Sequence, residues 1–167
     1  MDNRSSASNS KKRARPFWIM NHLANPLVGS ILTSPFHRFL SGSLVLLSYR
    51  GQKSGKRFQL PVDYAQSRET LWILPGAAEK KTWWRNLRAG CQVELVLRGQ
   101  RRRGQATLLS TRDDPTALAQ GLGIYFGCFP ASARLHEIRV DPEGNIDPGE
   151  LSRVAQSLVM VRIQMTE

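Results

Sequence analysis

The central part of the chain alternates between short apolar runs and polar turns that contain glycine. This pattern is typical of strands that pair with their neighbours in sequence. No strand–helix–strand rhythm separates the runs, so a mostly antiparallel meander is expected. Six strands are predicted, at residues 43–50, 57–65, 70–75, 92–98, 102–110 and 158–164.

Capping signals predict helices between and after these strands. A short helix is expected at 81–88, with Thr82 as its N-cap and Gly90 ending it. An Asp-Asp-Pro sequence at 113–115 predicts a second helix, running to about residue 126. An Asp-Pro-Gly-Glu sequence at 147–150 repeats this signal, with a glutamate at the capping-box position.

The chain is predicted to form one domain. Residues 1–15 are polar and basic, and they predict a disordered tail. Residues 16–167 carry the apolar pattern and have the length of a single domain. Apolar residues recur at three- and four-residue spacings after Pro16, which predicts an amphipathic helix interrupted at Pro26.

Six strands with flanking helices predict a mainly β fold, in which the strands form a closed or partly closed barrel. Pro61 lies inside a predicted strand, and proline is tolerated at the edge of a sheet rather than in its centre. An open α+β sheet is the alternative.

The charge balance narrows the class of partner. The sequence has 24 Lys and Arg against 13 Asp and Glu, a net charge of +11. Such an excess favours an anionic partner, which could be nucleic acid, a membrane surface or a multiply charged small molecule. The aromatic residues do not follow the spacing of an RNA-binding sheet, so nucleic acid is disfavoured.

The cysteine, histidine and hydropathy patterns argue against a metal site, a disulfide framework and a membrane span. Cys91 and Cys128 fit neither a metal site nor a disulfide framework, which predicts free thiols in a reducing cytoplasm. No metal ligand set is predicted, because the three histidines lack ligand spacing. No apolar run is long enough to span a membrane.

The cationic segment 11–15, followed by Phe17 and Trp18, suggests peripheral contact with the inner face of a membrane. A helix that closes one end of the barrel, behind a disordered basic tail, is the alternative.

One candidate anion site is the turn between the first two strands, which reads GQKSGKR from Gly51 to Arg57. Gly51 and Gly55 permit positive φ and leave backbone N–H groups exposed, while the lysines add cations. Together they would suit a phosphate or a group of carboxylates. The alternative is a solvated hairpin turn.

The sequence KKTWWRNLRAG, from Lys80 to Gly90, is a second candidate. Trp83 and Trp84 are adjacent, so on a helix they point in different directions. One is therefore predicted in the core and the other as a platform for a flat ring. The basic run at 98–103 is interpreted as a solvated turn.

These two sequences, GQKSGKRFQLPVDYA and GAAEKKTWWRNLRAG, resemble the signatures of the deazaflavin-dependent nitroreductase and quinone reductase family. The resemblance extends from about Ser43 to Arg103. It implies that the six strands form a split β-barrel of the FMN-binding type. It also implies a hydride transfer from reduced coenzyme F420 (F420H2) to a quinone-, nitro- or enone-type acceptor. A non-catalytic barrel, or one that binds FMN or haem, is the alternative. Monomer and homodimer both remain open.

The resemblance also implies roles for particular residues. Coenzyme phosphate and acidic tail would be held by Lys53, Ser54, Gly55, Lys56 and Arg57. The deazaflavin ring would lie along Leu60, Pro61 and Val62. The remaining cofactor contacts would come from Pro75, Gly76, Lys80, Lys81, Thr82, Trp83 and Asn86. If the protein supplies a proton, the candidates are Tyr64 and Tyr125.

Two positions depart from the better-known members of this family. Phe58 stands where they have an arginine, although Arg57 is adjacent, and Glu79 stands where they have a lysine, although Lys80 follows. Both departures shift a cation by one residue. They leave FMN and haem open as alternatives to F420.

Overall fold

The computed structural model describes residues 42–166, apart from residue 79 and residues 142–144. The predicted tail, the predicted N-terminal helix and the proposed membrane segment lie outside this part of the chain. In the described part there are seven strands, three α-helices and one short 3-10 helix. The strands are β1 Leu44–Arg50, β2 Arg57–Asp63, β3 Ala65–Ser67, β4 Thr70–Ile73, β5 Cys91–Leu97, β6 Gln100–Leu109 and β7 Met160–Thr166. The helices are α1 Pro115–Cys128, α2 Pro130–Leu135 and α3 Pro148–Ala155, with the 3-10 helix at Trp83–Leu87.

The seven strands form one curled antiparallel sheet, a half-barrel, in the order β2-β1-β5-β6-β7-β4-β3. The end strands β2 and β3 are consecutive in sequence, and Tyr64 alone separates them. The chain therefore passes at Tyr64 from pairing with β1 to pairing with β4. The predicted count of six strands is wrong for this reason, because the predicted strand 57–65 divides into two.

The two faces of the sheet contribute to separate hydrophobic cores. Inner-face residues such as Val45, Leu47 and Ile163 pack together and are fully buried. On the outer face, Trp72 and Met160 pack against the three helices in a second core. The described helices thus cover the part of the sheet around β3, β4, β7 and the end of β6.

Helix starts follow the capping signals in part. The Asp114 carboxylate accepts a hydrogen bond from the N–H of Ala117 at 2.9 Å, and Asp147 caps α3 in the same way. Thr82 is the N-cap of the 3-10 helix, as predicted, but its side chain makes no capping hydrogen bond. Glu150 accepts from the N–H of Arg139 at 2.9 Å, so it connects two segments rather than forming a capping box.

Candidate functional site

The turn between β1 and β2 is closed by its own backbone. The N–H of Gly51 donates to the carbonyl of Lys56 at 2.9 Å, and the N–H of Gly55 donates to the carbonyl of Gly51 at 2.8 Å. Gly55 has a φ of 63°, a conformation that glycine adopts without strain. Lys53 and Lys56 are exposed, and neither forms an ion pair with any residue that the structure describes. The turn therefore displays two uncommitted cations on a fixed backbone.

Asn86 joins this turn to the 3-10 helix. Its Oδ1 accepts a hydrogen bond from the N–H of Gln52 at 3.1 Å, and its Nδ2 donates to the carbonyl of Trp83 at 3.0 Å. The two sequence blocks are thereby in contact, although 34 residues separate Gln52 from Asn86. Because both ends of the amide are bonded within the protein, Asn86 is better placed to position the turn than to contact a ligand.

The two adjacent tryptophans differ as the sequence predicted. Trp84 is 6% exposed, and its Nε1 donates to the carbonyl of Ala78 at 3.1 Å. Trp83 is half-buried, with its ring centroid 6.5 Å from that of Tyr49. Trp84 thus belongs to the core, while part of Trp83 remains accessible beside the turn.

Successive residues of β2 point to opposite faces of the sheet. Leu60 and Val62 are half-buried and pack against the inner core. Arg57 shares the outer face with Pro61, because odd-numbered residues of the strand lie there. The Arg57 guanidinium is 2.6 Å from the Glu94 carboxylate, and both side chains are 60% exposed.

The better-known family members have their arginine at the position of Phe58, whereas this chain has Arg57. The cation of this chain therefore lies on the opposite face of the sheet. The predicted cofactor residues on β2 are accordingly divided between two faces.

Three ionisable groups come together at the other end of β2. Asp63 is exposed, but surrounding residues partly desolvate its carboxyl and raise its pKa, and the nearby Lys81 ammonium offsets part of this increase. Burial also raises the pKa of the Tyr125 phenol, and the Asp63 carboxylate raises it further. These groups come from β2, the loop after β4 and α1. Sequence reasoning missed Asp63, although it follows directly after the Leu-Pro-Val segment.

The two tyrosines that were candidates for proton donation lie in different cores. Tyr64 is 3% exposed and belongs to the inner core. Tyr125 is 5% exposed and belongs to the outer core, where its ring lies 4.6 Å from that of Phe129. Because the two tyrosines pack in different cores, they do not form one site.

The loop after β4 turns around Ala77, whose φ is 52°. The N–H groups of Lys80 and Lys81 both donate to the carbonyl of Ala77, at 2.9 and 3.0 Å. This turn places Lys81 near Asp63. The other predicted members of the loop vary in exposure: Pro75 is buried, whereas Gly76, Lys80 and Thr82 are exposed.

The best-defined grooves in the described part of the chain lie on the outer face of β1, β5 and β6. Two neighbouring grooves of about 400 and 520 Å³ share Ser48, Arg57, Glu94 and Arg103 in their walls. The lysines of the turn do not line either groove. Since arginine side chains dominate these walls, the grooves form a second basic surface next to the turn.

The described residues hold no cluster of His, Cys, Asp and Glu that could bind a metal ion. Between residues 42 and 166, no described helix has the length and apolar character needed to cross a membrane.

The first of three similar solved structures supports the fold. A structure described as a domain-swapped dimer is 16% identical to this chain. The match covers 87% of this chain and 96% of the other, with a TM-score of 0.50. An F420-H2 dependent reductase, FDR-A, is 16% identical to this chain. The match covers 72% of this chain and 92% of FDR-A, with a TM-score of 0.49. HutZ, a haem storage protein from Vibrio cholerae, is 15% identical to this chain. The match covers 81% of this chain and 91% of HutZ, with a TM-score of 0.47.

No curated protein matches this sequence. A family model described as F420H(2)-dependent quinone reductase matches residues 33–121, just over half of the chain. The match includes the turn, β2, the loop after β4 and the 3-10 helix, and it extends into α1. The chain therefore belongs to the F420H2-dependent quinone reductase family, and it is an F420H2-dependent reductase with F420 as its cofactor.

Proposed function

We propose that this reductase transfers a hydride from F420H2 to a quinone at an elongated site that follows β2. The observation that carries this proposal is the position of β2 between two chemically different ends. The cationic turn precedes Arg57, and the Asp63–Lys81–Tyr125 cluster lies at the opposite end. At roughly 3.3 Å per residue, the two ends of the strand are about 20 Å apart. This length suits a long molecule with acid groups at one end and a ring at the other.

Lys53 and Lys56 are the residues that we assign to the acid groups of the coenzyme. Both are exposed on a turn whose backbone is fixed by internal hydrogen bonds. A Cβ built on Gly55 would meet no atom within 4 Å, so a ligand can approach the backbone there. Ser54 can add a hydroxyl donor. The residues present thus fit a coenzyme that carries phosphate and carboxylate groups.

Arg57 is given a secondary role because the Glu94 carboxylate already binds its guanidinium. Exposed ion pairs of this kind contribute little stability, so Arg57 can exchange partners at small cost. The lysines need no such exchange.

The ring end of the site is assigned to the outer face of β2 near Pro61 and Asp63, together with the loop that carries Pro75, Gly76 and Lys80. Bound F420H2 supplies the hydride there. The chain's task is to hold the ring and the acceptor in contact and to exclude water. Leu60 and Val62 support the strand from its inner face by packing against the core.

Tyr125 is assigned to the oxygen of the acceptor. Its raised pKa keeps the phenol protonated, so it can donate a hydrogen bond to the oxygen that gains negative charge. Asp63, with a raised pKa beside Lys81, is placed to move a proton toward the reduced acceptor. Hydride plus one proton converts a quinone to a hydroquinone, so one proton-handling group is sufficient. We do not assign Tyr64, which lies in the inner core, to this step.

The acceptor class follows from the family description, and nitro compounds and enones are further proposed substrates because they also accept a hydride. The free thiols of Cys91 and Cys128 support a reducing compartment such as the cytoplasm. Monomeric and dimeric states are to be separated by light scattering.

Calorimetric titration with F420, FMN and haem, followed by F420H2 oxidation assays with quinones and nitroaromatic compounds, tests the proposal. We expect micromolar or tighter binding of F420 and turnover with a quinone. Tyr125→Phe should lower kcat with little change in the Kd of F420. Preferential binding of FMN or haem, or the absence of turnover with every acceptor, would contradict the proposal.

A further inference from the structure

Phe58 is an exposed aromatic residue beside the cationic turn. Among the described residues, only Phe58 and Leu135 are large hydrophobic side chains with high exposure, at 43% and 85%. Isolated exposed hydrophobic residues are common and need no function. Phe58 differs from Leu135 because it is part of an ordered arrangement of rings.

Three aromatic rings form a row at this end of the sheet. The Phe58 ring stacks on that of Tyr49, with centroids 5.6 Å apart and planes inclined by 21°. Tyr49 in turn contacts Trp83, with centroids 6.5 Å apart. Tyr49 is 6% exposed and Trp83 is half-buried, so the row runs from the core to the surface and ends at Phe58.

The backbone of the turn holds the Phe58 ring in place. A Cβ built on Gly51 would lie 2.7 Å from Cε2 of Phe58, so the ring packs directly over this glycine. Tyr49 supports the ring by stacking. A ring held in this way loses little further freedom when a ligand binds, which increases the net benefit of stacking.

The surroundings indicate the kind of ligand. A flat, electron-poor ring stacks favourably on an aromatic face. Lys53 and Lys56 on the same turn would attract an acid group attached to such a ring. Phe58 and Asp63 are at opposite ends of β2 and on opposite faces, so this position is separate from the ring end assigned above.

We propose that Phe58, supported by Tyr49 and Trp83, is a stacking subsite for a planar aromatic ring that carries an acid group. An anionic aromatic acceptor would supply such a ring; the coenzyme would supply it only with its ring at this end of β2, in contradiction to the ring end assigned above. This inference rests on the proposed function for the identity of those molecules, but the subsite can be tested without turnover.

The test compares Phe58→Ala with the wild type by equilibrium binding of two probes, F420 and a naphthoquinone sulfonate, each in the absence of the other. Leu135→Ala is the matched control, because it removes the other exposed hydrophobic side chain. We expect Phe58→Ala to weaken one of the two probes by about 3–30-fold. Phe58→Trp should retain binding. Quenching of tryptophan fluorescence by the same probe should be reduced in Trp83→Phe.

The two probes distinguish the coenzyme from the acceptor as the source of the bound ring. Weaker binding of the quinone sulfonate alone would assign the subsite to the acceptor. Weaker binding of F420 alone would assign it to the coenzyme and would overturn the ring end assigned above. Unchanged affinity for both probes, in a variant with unchanged Tm, would overturn the proposal. If the wild type binds the quinone sulfonate but not F420, the assignment of the coenzyme site fails while the subsite is still tested.

Discussion

Two basic regions lie next to each other in this protein, and they differ in how their cations are held. In the turn between β1 and β2, Lys53 and Lys56 are exposed on a backbone closed by hydrogen bonds, and no described residue pairs with them. On the outer face of β1, β5 and β6, the Arg57 guanidinium is paired with the Glu94 carboxylate at 2.6 Å.

The comparison teaches that a high net charge does not by itself locate a binding site. Both regions contribute to the net charge of +11. Only the turn combines uncommitted cations, an open glycine and nearby aromatic rings. The arginine-lined grooves have volumes of about 400 and 520 Å³, yet the Glu94 carboxylate already neutralises part of their positive charge.

The largest expected effect separates the two regions directly. Lys53→Ala combined with Lys56→Ala should weaken F420 binding by about 10–100-fold, because each lysine loses a charge-assisted contact with the acid groups. Arg101→Ala combined with Arg103→Ala removes the same charge from the other region and should change the Kd of F420 much less. Equal losses in calorimetric titrations of the two double variants would mean that the net charge alone determines affinity.

A second expected effect concerns the support of the turn. Asn86→Ala removes the acceptor for the N–H of Gln52 and the donor to the carbonyl of Trp83, so it should lower the free energy of unfolding by about 1–2 kcal/mol. It should also weaken F420 binding. Asn86→Asp keeps an acceptor for Gln52 and should show a smaller loss in urea denaturation. A variant as stable as the wild type would show that the turn does not depend on Asn86.

The third prediction is a pH dependence at the opposite end of β2. The folded state raises the pKa of Asp63 above its ordinary value of 3.8, so folding disfavours the charged carboxylate. Asp63→Asn should therefore increase the free energy of unfolding once the pH rises above that value, and by less than about 1 kcal/mol because the residue is exposed. At lower pH the gain should vanish. The measurement is the free energy of unfolding of the variant and of the wild type as a function of pH. A difference that is the same at every pH would argue against this electrostatic origin.

The smallest expected effect belongs to the ion pair of Arg57. A double-mutant cycle with Arg57→Ala and Glu94→Ala should give a coupling energy of about 0.2–1 kcal/mol, since both side chains are 60% exposed. Arg57→Ala should also weaken F420 binding less than the double lysine variant does. If Arg57→Ala weakens F420 binding as much as the double lysine variant does, Arg57 is a primary ligand of the acid groups.

Local signals allowed much of the fold to be predicted from the sequence. Alternation and glycine turns located the strands, with β1 within one residue of its predicted bounds. Asp114 and Asp147 cap helices as their sequences predicted, because a cap depends on the next three residues alone. The division of 57–65 at Tyr64 was missed, since it depends on two different strand partners.

For the site, the sequence by itself determined which residue types were present and in what order. These residues included the cations of the turn and two adjacent tryptophans, of which one was expected in the core, and they carried the resemblance to the family. Alternation along β2 also implied that Arg57 and Phe58 point in opposite directions.

Only the tertiary structure decided which partners those residues have. It placed Glu94 beside Arg57, Tyr49 beneath Phe58 and Asn86 against Gln52. It also brought Asp63 close to Lys81 and Tyr125, which are 18 and 62 residues further along the chain. The physical reason is that pairing between strands and packing of helices on the sheet join distant segments, and these contacts leave no periodic signal in the sequence.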